Sequence, residues 1–163
     1  MRKTLLWLFV IVQGIAFGAG LYEARVAWPL WLQATPDGLI WNAPAAMAAN
    51  SGMRFWAFVT TGPLTLLTLA NLFLALKSKG TLRKWWLAAI GIGIVERLLT
   101  FSFFIPTMIG LMDTGVTSEA AIVARAVTWE RMNCLRHVLA FSAWMASMKT
   151  FALFYQGPRK ALG

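Results

Sequence analysis

A chain of 163 residues that is 59% hydrophobic and 13% charged, with nine Trp and eleven Phe, has about half the roughly 25% charged coat a soluble domain needs. That excludes a disordered protein, a disulfide scaffold (Cys134 is the single cysteine) and a conventional soluble enzyme. It leaves an integral membrane protein of one domain, residues 1–163, too short for a separate catalytic head.

The net charge of +9 raises the question of nucleic acid, and the positions of the charges answer it. Arg2 and Lys3 precede the first apolar run, Leu5 to Tyr22. Gly14, Gly18 and Gly20 in that run let another helix approach closely. Met-Arg-Lys ahead of an apolar stretch and small residues is also the pattern of a cleaved signal peptide. The run is long for a signal core, so a retained helix is expected. The connection from Glu23 to Arg54 carries Trp28, Trp31 and Trp41 and is too long for a turn. It is expected to lie over the bundle, partly buried, with some of its tryptophans anchored at the interface. The second run, Phe55 to Leu76, contains Pro63, which removes a backbone donor and should loosen the bond to the Val59 carbonyl. The short basic link Lys77 to Lys84 makes the second and third helices antiparallel neighbours.

The third run, Trp85 to Ile109, holds Glu96 and Arg97. A further connection, Thr107 to Arg131, begins as a loop at Gly110 to Gly115 and turns helical near Thr117, with Thr117 or Ser118 as cap and Glu119 in the first turn. The fourth run is Val138 to Phe154, followed by Arg159 and Lys160. Each run is long enough, at roughly 17 to 25 residues, to cross a hydrocarbon core about 30 Å thick. Unbroken runs without strand alternation predict helices, because backbone groups in lipid must pair internally. The fold class is therefore an all-α membrane protein, a four-transmembrane-helix bundle with helices over about 5–22, 55–76, 85–109 and 120–155. The basic segments contain no acid, while Glu23, Asp37, Asp113, Glu119 and Glu130 lie in the other two connections. This is the positive-inside pattern: both termini cytoplasmic, the Trp-containing loop outside, four crossings of what is expected to be a bacterial inner membrane. The expected partners are membrane lipid and a hydrophobic small molecule, not nucleic acid, and a homo-oligomer is left open.

An ionisable residue inside a span asks for a partner or a purpose. Counting outward from Trp85 at about 1.5 Å per residue puts Glu96 roughly 16 Å deep, near the midplane. Thr100 follows one turn further out. On the fourth helix, spacings of three and four place Glu130, Asn133 and His137 on one face, continuing through Ala140 and Trp144, with Arg136 beside it. Glu23 is expected to cap the first helix at a similar height. These residues predict a polar cavity opening outward, walled by aromatics and lidded by the Trp-bearing loop. The alternative is a structural ion-pair network, Glu96 to Arg136 and Glu23 to Arg97, holding helices in register without chemistry.

The single His137 excludes a bis-histidine haem, which needs two axial ligands. The single Cys134, expected to be a small buried residue, excludes a disulfide relay. Glu23, Glu96 and His137 are of the right ligand types for iron or manganese, but no spacing motif supports them, and no cofactor is expected. Metal-free acid–base chemistry remains. His137 can exchange a proton near neutral pH, and Arg97 and Arg136 can stabilise an oxyanion in a water-poor site. A second reading is a non-catalytic membrane subunit or lipid- or small-molecule-binding protein, its cavity holding a lipid or a partner's helix. A third, small-molecule transport, would require an oligomer.

The chain also carries Gly-Leu-Tyr-Glu at Gly20 to Glu23, Pro29-x-Trp31, Trp41, Phe55-Trp56, Phe103-x-Ile105-Pro106, and Trp129-x-x-x-Asn133-x-x-Arg136. Taken together these motifs resemble the anthrone oxygenase-like family of small four-helix membrane proteins. The resemblance spans nearly the whole chain through short motifs. It implies oxidation of anthrones to anthraquinones by molecular oxygen without added cofactor: a base removes a proton and the carbanion reacts with oxygen. It also implies a site at Glu23, Asn133 and Arg136, to which depth independently adds Glu96, Arg97 and His137. The expected roles are Glu96 or His137 as base, Arg136 as enolate stabiliser and Asn133 beside them. Glu23, Arg97, Trp28, Trp31, Thr100 and Trp129 are expected to bind substrate. A family likeness does not transfer a substrate.

Overall fold

The computed structural model describes residues 2–113 and 118–156. Four segments are long and apolar enough to cross a membrane: Arg2–Trp31, Gly52–Leu76, Gly80–Met112 and Glu119–Gln156. The first comprises α1 (Arg2–Tyr22), a π-helical turn Glu23–Ala27 and α2 (Trp28–Trp31). A hairpin of β1 (Leu32–Thr35) and β2 (Gly38–Trp41) follows, with Leu32 opposite Trp41 and Thr35 opposite Gly38. Next comes α3 (Ala43–Ala49), whose cap, Asn42, accepts from the Ala45 N–H at 3.0 Å. The second span is a π-helical stretch Gly52–Thr61 leading into α4 (Gly62–Leu76). The third is α5 (Gly80–Leu99), a π-helical turn Thr100–Phe104 and α6 (Ile105–Met112); the fourth is α7 (Glu119–Gln156), unbroken over 38 residues.

The three wide turns share one local cause. Each is followed by a residue and then a proline: Trp28-Pro29, Gly62-Pro63 and Ile105-Pro106. A proline inside a helix lacks an N–H and its ring clashes with the carbonyl four residues back. In each case the residue before the proline donates five residues back instead, Trp28 to Glu23, Gly62 to Ala57 and Ile105 to Thr100. The widened turn absorbs the misfit and the α-helix resumes with proline in its first turn, where no donor is missed.

This corrects several boundaries drawn from the sequence. Glu23 is not a cap, because the first span continues through Trp31. Pro63 does not merely loosen one bond but ends a ten-residue wide stretch. Gly110 is helical, since α6 runs to Met112. The fourth helix, by contrast, agrees with the expected 120–155, running from Glu119 to Gln156. Ser118 precedes α7, its carbonyl accepting from Ala121 and Ile122. Thr117, the other cap candidate, Gly115, and the basic residues Arg159 and Lys160 lie outside the described residues. Cys134 is exposed rather than buried, and Glu130 is exposed, off the inward face of α7. Of that stripe Asn133 is buried and His137 lines the interior cavity, as does the flanking Arg136.

Helix α7 packs along α5 and α1, and α4 packs on both α1 and α5. Two separate cores result. Near the basic end of the bundle, Leu6, Phe9, Ala75, Trp86, Ala89, Ile90 and Ala146 are buried together. Asn71 ties three spans there: its Nδ2 donates to the carbonyls of Leu5 (3.2 Å) and Leu67 (2.8 Å), and its Oδ1 accepts from Trp86 Nε1 (3.1 Å). At the other end, Trp28, Trp31, Leu32, Ala46, Phe104, Leu111, Ala126 and Trp129 form a lid core. Trp28 stacks on Trp129 at 4.3 Å, and Trp41 Nε1 donates to the Leu111 carbonyl at 2.8 Å. The tryptophan-bearing segment is thus folded onto the bundle as expected, by a longer helix and a hairpin rather than by a loop.

Asn71→Leu keeps the volume but leaves the buried Trp86 indole N–H without an acceptor. It should cost about 1–2 kcal/mol. Thermal unfolding in detergent should show the loss, and Trp86→Phe in that background should restore part of it.

Candidate functional site

Between the two cores lies a cavity of about 770 Å³, lined by residues of all four spans. Its floor is made by Gln13, Leu64, Thr68 and Gly93. The hydroxyls of Thr65 and Thr68 donate to their own helix, to the carbonyls of Thr61 (2.7 Å) and Leu64 (2.6 Å), so neither hydroxyl proton is left for a ligand. Most of the wall is apolar. The exception is one patch where charged side chains from three spans meet.

Glu23, the first residue of the first π-turn, is buried. Its Oε1 accepts from Ser51 Oγ at 2.8 Å and from Trp56 Nε1 at 2.9 Å, and its Oε2 stands 3.9 Å from Arg136 Nη2. The Arg136 guanidinium sits in an aromatic cage, 4.6 Å from the Phe104 ring, 5.4 Å from Trp56 and 5.6 Å from Trp129. Glu96 Oε2 accepts from Arg97 Nε at 2.6 Å and also pairs with Arg97 Nη2. Its Oε1 accepts from Thr100 Oγ1 at 3.2 Å, and the same hydroxyl lies 2.9 Å from the Glu96 carbonyl. Arg136 is within electrostatic reach of Glu23, Glu96 and Arg97. Two carboxylates face two guanidiniums, so the patch is charge-balanced.

The pairs of the alternative ion-pair network, Glu96 to Arg136 and Glu23 to Arg97, are exchanged. Arg97 does not reach Glu23; it folds back onto its own neighbour Glu96, whereas Arg136 is level with Glu23 and pairs with it. Glu96 is therefore answered first by its own helix. Balanced charge does not use up the hydrogen-bonding capacity. Arg97 Nη1, Arg136 Nη2, His137 Nε2 and Asn133 Oδ1 are buried without a hydrogen-bond partner, and so is Gln13 Oε1 on the floor. A buried polar atom without a partner is costly, and four of these five belong to residues that line one cavity.

Of the residues expected at the site, Glu96, Arg97, Thr100, Arg136, His137, Glu23 and Trp129 line the cavity. Asn133 is buried one turn from Arg136 but does not line it. Trp28 and Trp31 do not line it either. The continued first helix carries them into the lid core, where Trp28 backs Trp129 from behind. Glu23 and Glu96 are committed to the partners above, and no group of three or more His, Cys, Asp or Glu converges on a metal position among the described residues. His137 needs Gly20: a Cβ there would stand 2.9 Å from Nε2. Sequence reasoning passed over Gln13, Ser51 and Trp56. Gln13 is a polar residue in an otherwise apolar run, a signal of the same kind that singled out Glu96. Ser51 becomes meaningful only once the chain after α3 is known to lie against Glu23. No family model, curated protein or solved structure matches this chain.

Removing one member of a buried ion pair strands the other, at about 3–5 kcal/mol, whereas removing both is far milder. Glu23→Gln should therefore destabilise the protein more than the double variant Glu23→Gln/Arg136→Gln. Unfolding in detergent followed by tryptophan fluorescence reads the difference. Additive losses would show that the two side chains do not act as a pair.

Proposed function

We propose that this protein holds a lipophilic, oxygen-bearing small molecule in its cavity and oxidises it without a cofactor, with both termini on the cytoplasmic side. The observation that carries the reading is Arg136: its Nη2 is buried, has no hydrogen-bond partner and belongs to a guanidinium caged by Trp56, Phe104 and Trp129. A cation held among aromatic rings beside an apolar cavity suits a flat substrate that develops negative charge on one oxygen.

The motif resemblance suggests an anthrone-type substrate. Glu96 takes a proton from the ring methylene, and the electron pair moves onto the carbonyl oxygen, which Arg136 stabilises as the enolate. Arg97 and Thr100 hold the Glu96 carboxylate in place. Molecular oxygen then bonds to the carbon and takes up the electron pair, and the proton returned by Glu96 completes a hydroperoxide. Loss of the remaining C–H proton with cleavage of the O–O bond releases water. The balance is one anthrone and one O₂ giving one anthraquinone and one water.

The apolar character of the remaining wall also suits a second reading, a non-catalytic lipid- or small-molecule-binding protein or membrane subunit. Oxygen uptake with anthrone, corrected for autoxidation, decides between them. The oxidoreductase reading expects one O₂ per anthrone. It also expects a drop of about a hundredfold or more in Arg136→Ala and Glu96→Gln that still purify as folded protein. Full uptake in both variants would refute the site. No uptake by the wild type, together with a co-purifying polypeptide, would select the second reading.

A further inference from the structure

The cavity is open on one flank. Helices α4 and α5 pack together near the basic end, but Gly52–Thr61 makes no comparable contact with Thr100–Phe104 or α6. On that flank the lining consists of Gly62 and Leu66 from the second span and Phe101, Ile105 and Ile109 from the third. Spacings of four put each set on one helical face. The same side chains are exposed at the protein surface, Leu66 by 71%, Phe101 by 51% and Ile109 by 64%. A residue that both lines a cavity and is exposed marks an opening, and none of these carries a charge. Ten residues separate Leu66 from Leu76 at the basic end, about 15 Å along the helix, so the lower edge lies near the middle of a core about 30 Å thick. Two of the three widened proline junctions, Gly62-Pro63 and Ile105-Pro106, flank the gap. Above it, α3 packs across onto α6. The opening therefore faces hydrocarbon, in the leaflet on the lid side.

The same cavity is lined by Arg136 and Arg97, whose Nη2 and Nη1 are buried without a hydrogen-bond partner, Arg97 lying one turn below Phe101 on the third span. We propose that the cavity is loaded sideways from the lid-side leaflet by an amphiphile. Its oxygen-bearing end reaches Arg136, and its apolar body lies in the gap against Leu66, Phe101 and Ile105. This rests on the reading of the cavity as the ligand site, but it concerns route and ligand shape, not the chemical step. An aqueous path from the lid end is the competing route.

The test uses single cysteines in a Cys134→Ser background, with the protein in nanodiscs of palmitoyl-oleoyl phosphatidylcholine. Ala57→Cys reports on the cavity and Asp37→Cys, at the hairpin turn, on open water. Two thiol reagents are compared: lipophilic pyrenyl maleimide and the charged trimethylammonium-ethyl methanethiosulfonate. Relative to Asp37→Cys, the lipophilic reagent should label Ala57→Cys about tenfold or more faster than the charged one, because a cation crosses hydrocarbon poorly. Leu66→Trp/Ile105→Trp, two substitutions at the rim, should slow the lipophilic reagent about tenfold and leave the charged one unchanged. If that pair does not fold, Ile109→Trp alone is measured for the same slowing. Faster labelling by the charged reagent, or no slowing by the tryptophans, overturns the proposal. Failure of anthrone oxidation with sideways labelling intact would remove the chemistry and leave the route standing.

Discussion

A proline within a membrane helix supplies no N–H and crowds the carbonyl four residues before it. Three of the four spans meet this constraint, and all three solve it alike, with a π-helical turn ahead of Pro29, Pro63 and Pro106. The turns also supply several of the site residues, while Glu96 and Arg97 come from α5 just before the third. The first begins with Glu23; the second contains Trp56; the third begins with Thr100 and ends with Phe104. The fourth span has no proline within it, stays α-helical throughout, and presents Arg136 and His137 to those three. Wide turns of this kind recur at functional sites because they redirect side chains without ending the helix. Here they leave a cavity where continuous packing would otherwise run from the basic end to the lid.

The energetics of the patch fit a binding site better than a structural tie. Ion pairs in a low-dielectric interior recover their desolvation cost only when geometry is good and the remaining donors are satisfied. The Glu23–Arg136 pair stands at 3.9 Å, and Arg136 Nη2 and Arg97 Nη1 are left without hydrogen-bond acceptors. By contrast, Asn71 near the basic end satisfies all its neighbours at ordinary distances. One bundle thus contains both a satisfied polar junction and an unsatisfied one. The unsatisfied one borders a cavity large enough for a ligand of ordinary size.

Much of this was legible in the chain, and what was not has identifiable causes. The four apolar runs fix the spans because helix length and hydrocarbon thickness must agree. Depth counting found Glu96 and Arg97, and helical spacing found Arg136 and His137. The partner of each carboxylate was not legible: Arg97 can bend back along its own helix or reach across, and only the relative heights of α1 and α7 decide. Trp28 and Trp31 were expected to bind substrate as part of a long connection lying over the bundle; the wide turn before Pro29 instead continues the first helix through them and carries both into the lid core. Cys134 was placed by residue type and Glu130 by its spacing from Asn133 and His137, and both are exposed once α7 packs on α5 and α1.

The proposed role of Arg136 is to hold an oxygen of a lipophilic ligand inside the bundle. Native mass spectrometry of the detergent-solubilised protein, beside Arg136→Gln, addresses this directly. The wild type is expected to retain one lipophilic molecule of defined mass that the variant loses while remaining folded. A wild type that carries nothing specific, or a variant that keeps the same molecule to the same extent, would contradict it.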